Sequence, residues 1–183
     1  MTNSYFSEIQ TWRVPEMAIA DTLEEMAIDG REGNEGIVLF LGHDKGVVAE
    51  VTHLVKLRGP GIEKYPWRIN IDAALLNDVT DVAIENRVRL IGQVHSHGPG
   101  YGLDLSPTDE AYGIRTPYYL SLVAPDYALS AAPLQSWGVH VFMEQQGWQR
   151  LSVSEAHSRL QLVPGKRASV ITVGGEDGFQ TSL

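Results

Sequence analysis

Val88-Arg89-Leu90-Ile91-Gly92-Gln93-Val94-His95-Ser96-His97 is an apolar run that ends in two histidines. Leu90, Ile91 and Val94 leave it no wet face, the pattern of a central strand covered on both sides. A glycine-rich loop follows over residues 99–105. Ser106-Pro107-Thr108-Asp109 then opens a helix, with serine as the cap, proline in the first turn and an acid reaching back from the third position.

Outward from this segment the chain alternates helices and strands. Asp72 is a good N-cap for a helix whose apolar stripe is Leu75, Val79, Val82 and Ala83. Further upstream, Pro15 and Glu16 favour a helix start, Ile19, Leu23 and Met26 recur at helical spacing, and Gly30 ends the pattern. Residues 37–41 and 47–57 read as strands joined by a turn at 42–46, and residues 58–65 as a loop. Downstream, residues 118–124, 138–144 and 148–153 read as strands, the last two paired as a hairpin through Gln145-Gln146-Gly147. Residues 154–162 read as a helix and 168–173 as a final strand. The expected fold is α/β (α+β), with a mixed, partly antiparallel central sheet flanked by helices. Residues 1–173 form a single domain on this reading, and residues 174–183 a flexible C-terminal tail.

The 183 residues include no cysteine, which excludes disulfides, a thiolate nucleophile and Cys-ligated zinc. Any metal site must be built from His, Asp and Glu. A formal charge of −9 argues against non-specific affinity for nucleic acid or anionic membranes. No run approaches the roughly 18 apolar residues of a membrane span, and residues 1–12 show no signal-peptide pattern. The expected location is therefore cytoplasmic.

Histidines at i and i+2 on a strand point to the same side, so the His95 and His97 imidazoles can converge on one ion. A catalytic zinc takes three protein ligands and leaves the fourth position for water. Asp109, in the first turn of the following helix, is a natural third ligand; Asp104, in the intervening loop, is the alternative. The fixed Ser106-Pro107-Thr108-Asp109 turn favours Asp109. Ser106, as the cap, brings its hydroxyl close to the same point. Upstream, Glu35 places a carboxylate directly before the apolar strand 37–41.

Glu35, then His95-Ser96-His97, then Ser106-Pro107-Thr108-Asp109 resembles the JAMM motif of the JAB/MPN metallopeptidase family, in which Glu, His-x-His and Ser-x-x-Asp occur in that order. The resemblance spans about residues 15–153. The loop between His97 and Ser106 is one residue longer than is usual in the family, and Gly98 stands where a proline usually follows the second histidine. The resemblance implies a JAB/MPN-like fold with cytidine-deaminase-like layering. It also implies zinc held by His95, His97 and Asp109, with Glu35 as general base and acid and Ser106 as donor to the oxyanion. Family members that keep the whole motif mostly cut after the C-terminal glycine of ubiquitin or a ubiquitin-like protein. The implied activity is a deubiquitinase-like isopeptidase or precursor-processing peptidase, similar to small bacterial single-domain forms. Its implied partner is a ubiquitin-like protein or its conjugates. A Gly-Gly tail would add as an edge strand between walls at residues 58–65 and 98–105. A same-fold peptidase acting on a sulfur-carrier fusion or a small amide, or a non-catalytic MPN scaffold, are the alternatives.

His43, His53, His140 and His157 read as surface or core residues. Trp12, Trp67, Trp137 and Trp148 are too scattered for a stacking platform. Gly174-Gly175 reads as a flexible loop rather than a modifier's processing site.

Overall fold

The structure is a computed structural model that describes residues 8–175 together with the backbone of residues 180–182. In chain order the elements are β1 (Thr11–Pro15), α1 (Glu16–Gly30), β2 (Ile37–Lys45), β3 (Val48–Leu57), β4 (Ile62–Tyr65), β5 (Arg68–Ile71), α2 (Ala73–Glu85), β6 (Arg89–Ser96), α3 (Pro107–Tyr112), β7 (Leu120–Ala124), β8 (Gly138–Met143), β9 (Gly147–Arg150), α4 (Val153–Arg159), β10 (Leu160–Val163), β11 (Ser169–Val173) and β12 (Gln180–Ser182).

β2 shows why the main sheet is covered on both sides. Ile37 through Leu41 are all buried, and successive side chains on a strand point to opposite faces. Val38 and Phe40 meet α1 through Ala18, Ile19 and Met26 in one apolar cluster. Ile37, Leu39 and Leu41 join Leu75, Val79, Val82 and Ala83 of α2 in the other. The Asp72 side chain caps α2 by accepting the Leu75 N–H at 2.8 Å. Both helices lie where the sequence places them, and the α2 stripe is buried throughout, whereas in α1 Ile19 and Met26 are buried and Leu23 only partly so.

The large sheet is mixed and curled, in the order β10-β1-β3-β2-β6-β7-β8-β9, with β11 parallel to the second half of β3 and β12 antiparallel to β11. β6 is central, antiparallel to β2 and parallel to β7. Its register sets Ile37 opposite His95, which brings the start of β2 beside the end of β6.

Several boundaries differ from the sequence reading. The expected turn at 42–46 is strand as far as Lys45, because the hairpin with β3 stays paired to Lys45↔Val48. The expected loop at 58–65 holds β4, which pairs with β5 in a separate two-stranded sheet. β1 was not anticipated; it is parallel to both β3 and β10, pairings that no local pattern displays. The helix expected over 154–162 ends at Arg159, and Leu160 begins β10. The strand expected over 148–153 ends at Arg150, because Ser152 caps α4 instead. Within the expected tail, Gln180–Ser182 pair with β11, whereas residues 176–179 and 183 lie outside the described residues. No helix among the described residues is long and apolar enough to cross a membrane.

Arg87 and Tyr118 have isolated left-handed backbone, and one turn has three such residues in a row. Asp126, Tyr127 and Ala128 run consecutively at φ of 53°, 55° and 61°. Left-handed backbone costs a non-glycine residue roughly 1–2 kcal/mol.

Candidate metal centre

The end of β6 and the start of α3 build the site. His95 lies in the last turn of pairing with β7, and the main chain continues that pairing through the His97 N–H, which donates to the Ala124 carbonyl at 2.9 Å. His95 and His97 therefore share a side, and both are buried. Ser96, between them, faces the opposite way. Its hydroxyl accepts the Gly36 N–H at 2.9 Å and its own N–H donates to the Gly36 carbonyl at 3.0 Å. This two-way stitch seats Glu35, the preceding residue, beside the histidine pair.

Asp109 arrives through a capping box. The Ser106 hydroxyl accepts the Asp109 N–H at 3.1 Å, and Asp109 Oδ2 accepts the Ser106 N–H at 2.7 Å. The carboxylate is thereby held at the helix entrance, with Oδ2 turned to the imidazoles.

Three donor atoms converge there. His95 Nε2 and His97 Nε2 stand 3.2 Å apart, and Asp109 Oδ2 lies 3.3 Å from His97 Nε2 and 3.6 Å from His95 Nε2. Tetrahedral coordination with bonds of about 2.0–2.1 Å sets donor atoms about 3.3–3.4 Å apart. The triangle fits that requirement, and His95, His97 and Asp109 form a group able to hold a metal ion. The tautomer of His97 agrees. Its Nδ1 lies 2.7 Å from the Gly102 carbonyl, which only accepts, so Nδ1 carries the hydrogen and the neutral ring offers Nε2 as a lone pair. A cation between these donors, or a proton on one of the imidazoles, would relieve the repulsion among them. His95 Nδ1 has no hydrogen-bond partner among the described residues.

The electrostatics follow from the same packing. Burial would push the Asp109 carboxyl up, but in the absence of a cation the two imidazoles, as proton-bearing donors, and the Ser106 side chain hold it well below the usual carboxylate range. Burial would pull His97 down; the Asp109 carboxylate, the Gly102 carbonyl and Glu35 outweigh it and raise the ring. Glu35 is buried, and burial pushes its carboxyl up to about 8, with His97 opposing and Asp109 adding to the rise. It stands outside the three-donor group yet within its electrostatic reach. A cation held by the three donors would draw the Glu35 proton off at lower pH.

Of the two candidate aspartates, Asp109 joins the histidines. Asp104 is exposed and pairs with Arg150 at 2.5 Å. A cavity of about 510 Å³ opens on His95 and Asp109. All four residues of β5, from Arg68 to Ile71, line it with Leu76 of α2, Tyr112 at the end of α3 and Ile114 beyond it, and none of its lining residues falls in 58–65 or 98–105. β5 is only four residues long, too short to show a pattern in the sequence. Two further residues went unread in the sequence. One is Ser96, whose hydroxyl and N–H hold Gly36. Gln93, also on the cavity wall, accepts the Tyr119 hydroxyl at 3.2 Å and lies two residues before His95, on the same side of β6. Its alternation with His95 was the available signal.

Neither the protein-family models nor the curated proteins include a match to the chain. Among solved structures, the fold is similar to the solution structure of protein DSY2949 from Desulfitobacterium hafniense, with a TM-score of 0.59, 15% sequence identity, and coverage of 86% of this chain and 95% of that one. At that identity the likeness concerns the fold alone.

Proposed function

We propose that the chain is a zinc-dependent peptidase of the JAMM type, hydrolysing the bond after the C-terminal glycine of a ubiquitin-like protein. The observation that carries this reading is the triangle of His95 Nε2, His97 Nε2 and Asp109 Oδ2, with a buried carboxyl and a hydroxyl beside it. Two imidazoles and one carboxylate in a tetrahedral spacing favour zinc over magnesium or calcium, which prefer all-oxygen sets with more ligands. The placement of α1 and α2 on opposite faces of a mixed sheet, with the site at the end of its central strand, supports a JAB/MPN-like layering.

Zinc, when bound, would supply Lewis acidity that brings the pKa of water down to about 7. Glu35 takes the proton from the attacking water and gives it to the departing amine, so one group serves as base and then acid. Its buried position keeps bulk water from competing for that proton. The Ser106 hydroxyl accepts the Asp109 N–H and would turn its hydrogen from the Asp109 carboxylate to the oxyanion. Asp109 keeps its charge because its Oδ2 accepts the Ser106 N–H and would face the cation.

The apolar wall of β5 supports an extended substrate. β5 pairs with β4 on one side, and its residues line the cavity leading to His95 and Asp109. A slender C-terminal tail would add along β5 through main-chain hydrogen bonds, with its last glycines nearest the site, where side chains would crowd Tyr112 and Gln93.

The test is a panel of ubiquitin-like proteins carrying C-terminal fusions or isopeptide-linked lysines, set beside sulfur-carrier fusions and simple amides. Expected is cleavage after the terminal glycine, abolished by a chelator, restored by zinc and absent in Glu35→Gln with zinc retained. Zinc-loaded protein that cleaves only small amides would reject the substrate class. Glu35→Gln at full activity would reject the mechanism.

A further inference from the structure

The left-handed turn Asp126-Tyr127-Ala128 sits against the candidate centre, and its middle residue touches both of the site's halves. The Tyr127 N–H donates to the His97 carbonyl at 2.8 Å, on the main chain of a metal-ligating candidate. The Tyr127 hydroxyl donates to the Pro66 carbonyl at 3.0 Å, at the tip of the β4–β5 hairpin. The neighbouring carbonyl of that hairpin, on Tyr65, accepts the Glu35 N–H at 3.0 Å. One residue thus ties the strand that carries His97 to the hairpin that seats Glu35.

The surroundings are cut to admit this residue. A Cβ on Gly98 would come within 2.5 Å of the Tyr127 ring carbon and hydroxyl, and a Cβ on Gly30 would run into the Tyr127 carbonyl oxygen. The backbone at φ 55° is one that a tyrosine adopts only when its environment imposes it. Strain of this kind persists where the surrounding contacts over-determine it, and it clusters at functional sites.

We propose that Tyr127 is a positioning residue of the metal centre: its left-handed main chain fixes His97 while its hydroxyl fixes the hairpin beneath Glu35, keeping the metal ligands and the proton carrier in register. The inference rests on the metal-centre and general-base reading above. The ring also packs on Gly98, the residue after His97, so displacing the ring displaces the ligand.

The two halves separate in experiment. The probes are Co²⁺, whose affinity and visible absorption report the three-donor centre, and turnover of the fusion that the wild type cleaves. Tyr127→Phe keeps the ring and the N–H but frees the hairpin: Co²⁺ affinity stays within about twofold, while kcat falls about 10-fold or more at unchanged KM. Gly98→Ala drives a methyl into the ring: Co²⁺ affinity falls about 10-fold or more. Tyr127→Gly, which suits the left-handed backbone, is then added to Gly98→Ala; it removes the obstructing ring and restores Co²⁺ affinity to within about threefold of wild type. Urea unfolding of each variant identifies any that fails to fold. Wild-type kcat in Tyr127→Phe, or a Gly98→Ala defect that Tyr127→Gly leaves unrelieved, overturns the assignment while leaving the peptidase reading intact. A wild-type protein that binds no Co²⁺ overturns the metal centre itself, and Tyr127's role with it.

Discussion

Ser106 and Ser152 open α3 and α4 in the same way. Each serine hydroxyl accepts the N–H of the third helical residue, and that residue's carboxylate accepts the N–H of the serine, at 2.7 Å for Asp109 and 2.8 Å for Glu155. The difference lies in what else each carboxylate meets. Asp109 Oδ2 faces two buried imidazoles. Glu155 is exposed, and its Oε2 also accepts the Ser152 hydroxyl at 2.6 Å. A capping box is therefore a local device that holds an acid at a helix mouth. Chemistry arises only where sheet register brings a second set of donors to the same place.

Substitution at the two acids breaks the comparison most widely. Asp109→Asn should lower zinc affinity by more than about 100-fold, beyond the 10- to 100-fold typical of groups that merely support a ligand. Glu155→Gln should leave it unchanged, as read by competition with a chromophoric chelator. Equal affinities for the two variants would remove Asp109 from the ligand set.

The two serines sharpen it next. Ser106→Ala and Ser152→Ala should each cost about 1 kcal/mol in urea unfolding, the usual loss on removing a cap. Ser106→Ala alone should also lower turnover about 100- to 1000-fold at full zinc content. A matching loss of turnover in Ser152→Ala would reduce Ser106 to a cap.

Ser96 has no counterpart near α4, and its hydroxyl is the acceptor for the buried Gly36 N–H. Ser96→Ala should destabilise by roughly 1–3 kcal/mol, the cost of a buried donor without a partner. A change below experimental error in the unfolding free energy would show that water or a shifted main chain replaces the hydroxyl.

Acid separates the boxes by the smallest margin. Both carboxyls titrate below their ordinary values, Glu155 through the Ser152 hydroxyl and N–H, Asp109 farther through the imidazoles and Ser106 against the opposing effect of burial. A depressed carboxyl contributes stability above its unfolded pKa, and that contribution is lost as pH falls through its folded value. In metal-free protein the amide signal of Ser152 should therefore shift at higher pH than that of Ser106. The reverse order would contradict the charge arrangement assigned to Asp109.

The contrast also explains what was legible in the sequence. His95-Ser96-His97 and Ser106-Pro107-Thr108-Asp109 follow local periodicity and capping, so the three donors and the serine are readable, and Asp109 stands where the cap geometry placed it. α1, α2, β2 and β6 show long apolar stripes or runs. β1, β4, β5 and β10 are four or five residues long, and two of them, β1 and β10, pair with distant segments, so their own residues carry little pattern. The approach of Glu35 to the histidines depends on Ile37 pairing with His95 across the sheet, which the order of residues leaves open. The left-handed turn at Asp126–Ala128 is imposed by His97, Gly98, Gly30 and Pro66; in sequence those glycines resemble any other loop glycines.

The central claim is that His95, His97 and Asp109 hold one divalent ion between them. Anomalous diffraction at the zinc edge, from crystals of the zinc-loaded protein, tests it directly. The account predicts one dominant peak about 2.0–2.2 Å from His95 Nε2, His97 Nε2 and Asp109 Oδ2. Zinc bound elsewhere, or either imidazole turned away from the peak, would contradict it.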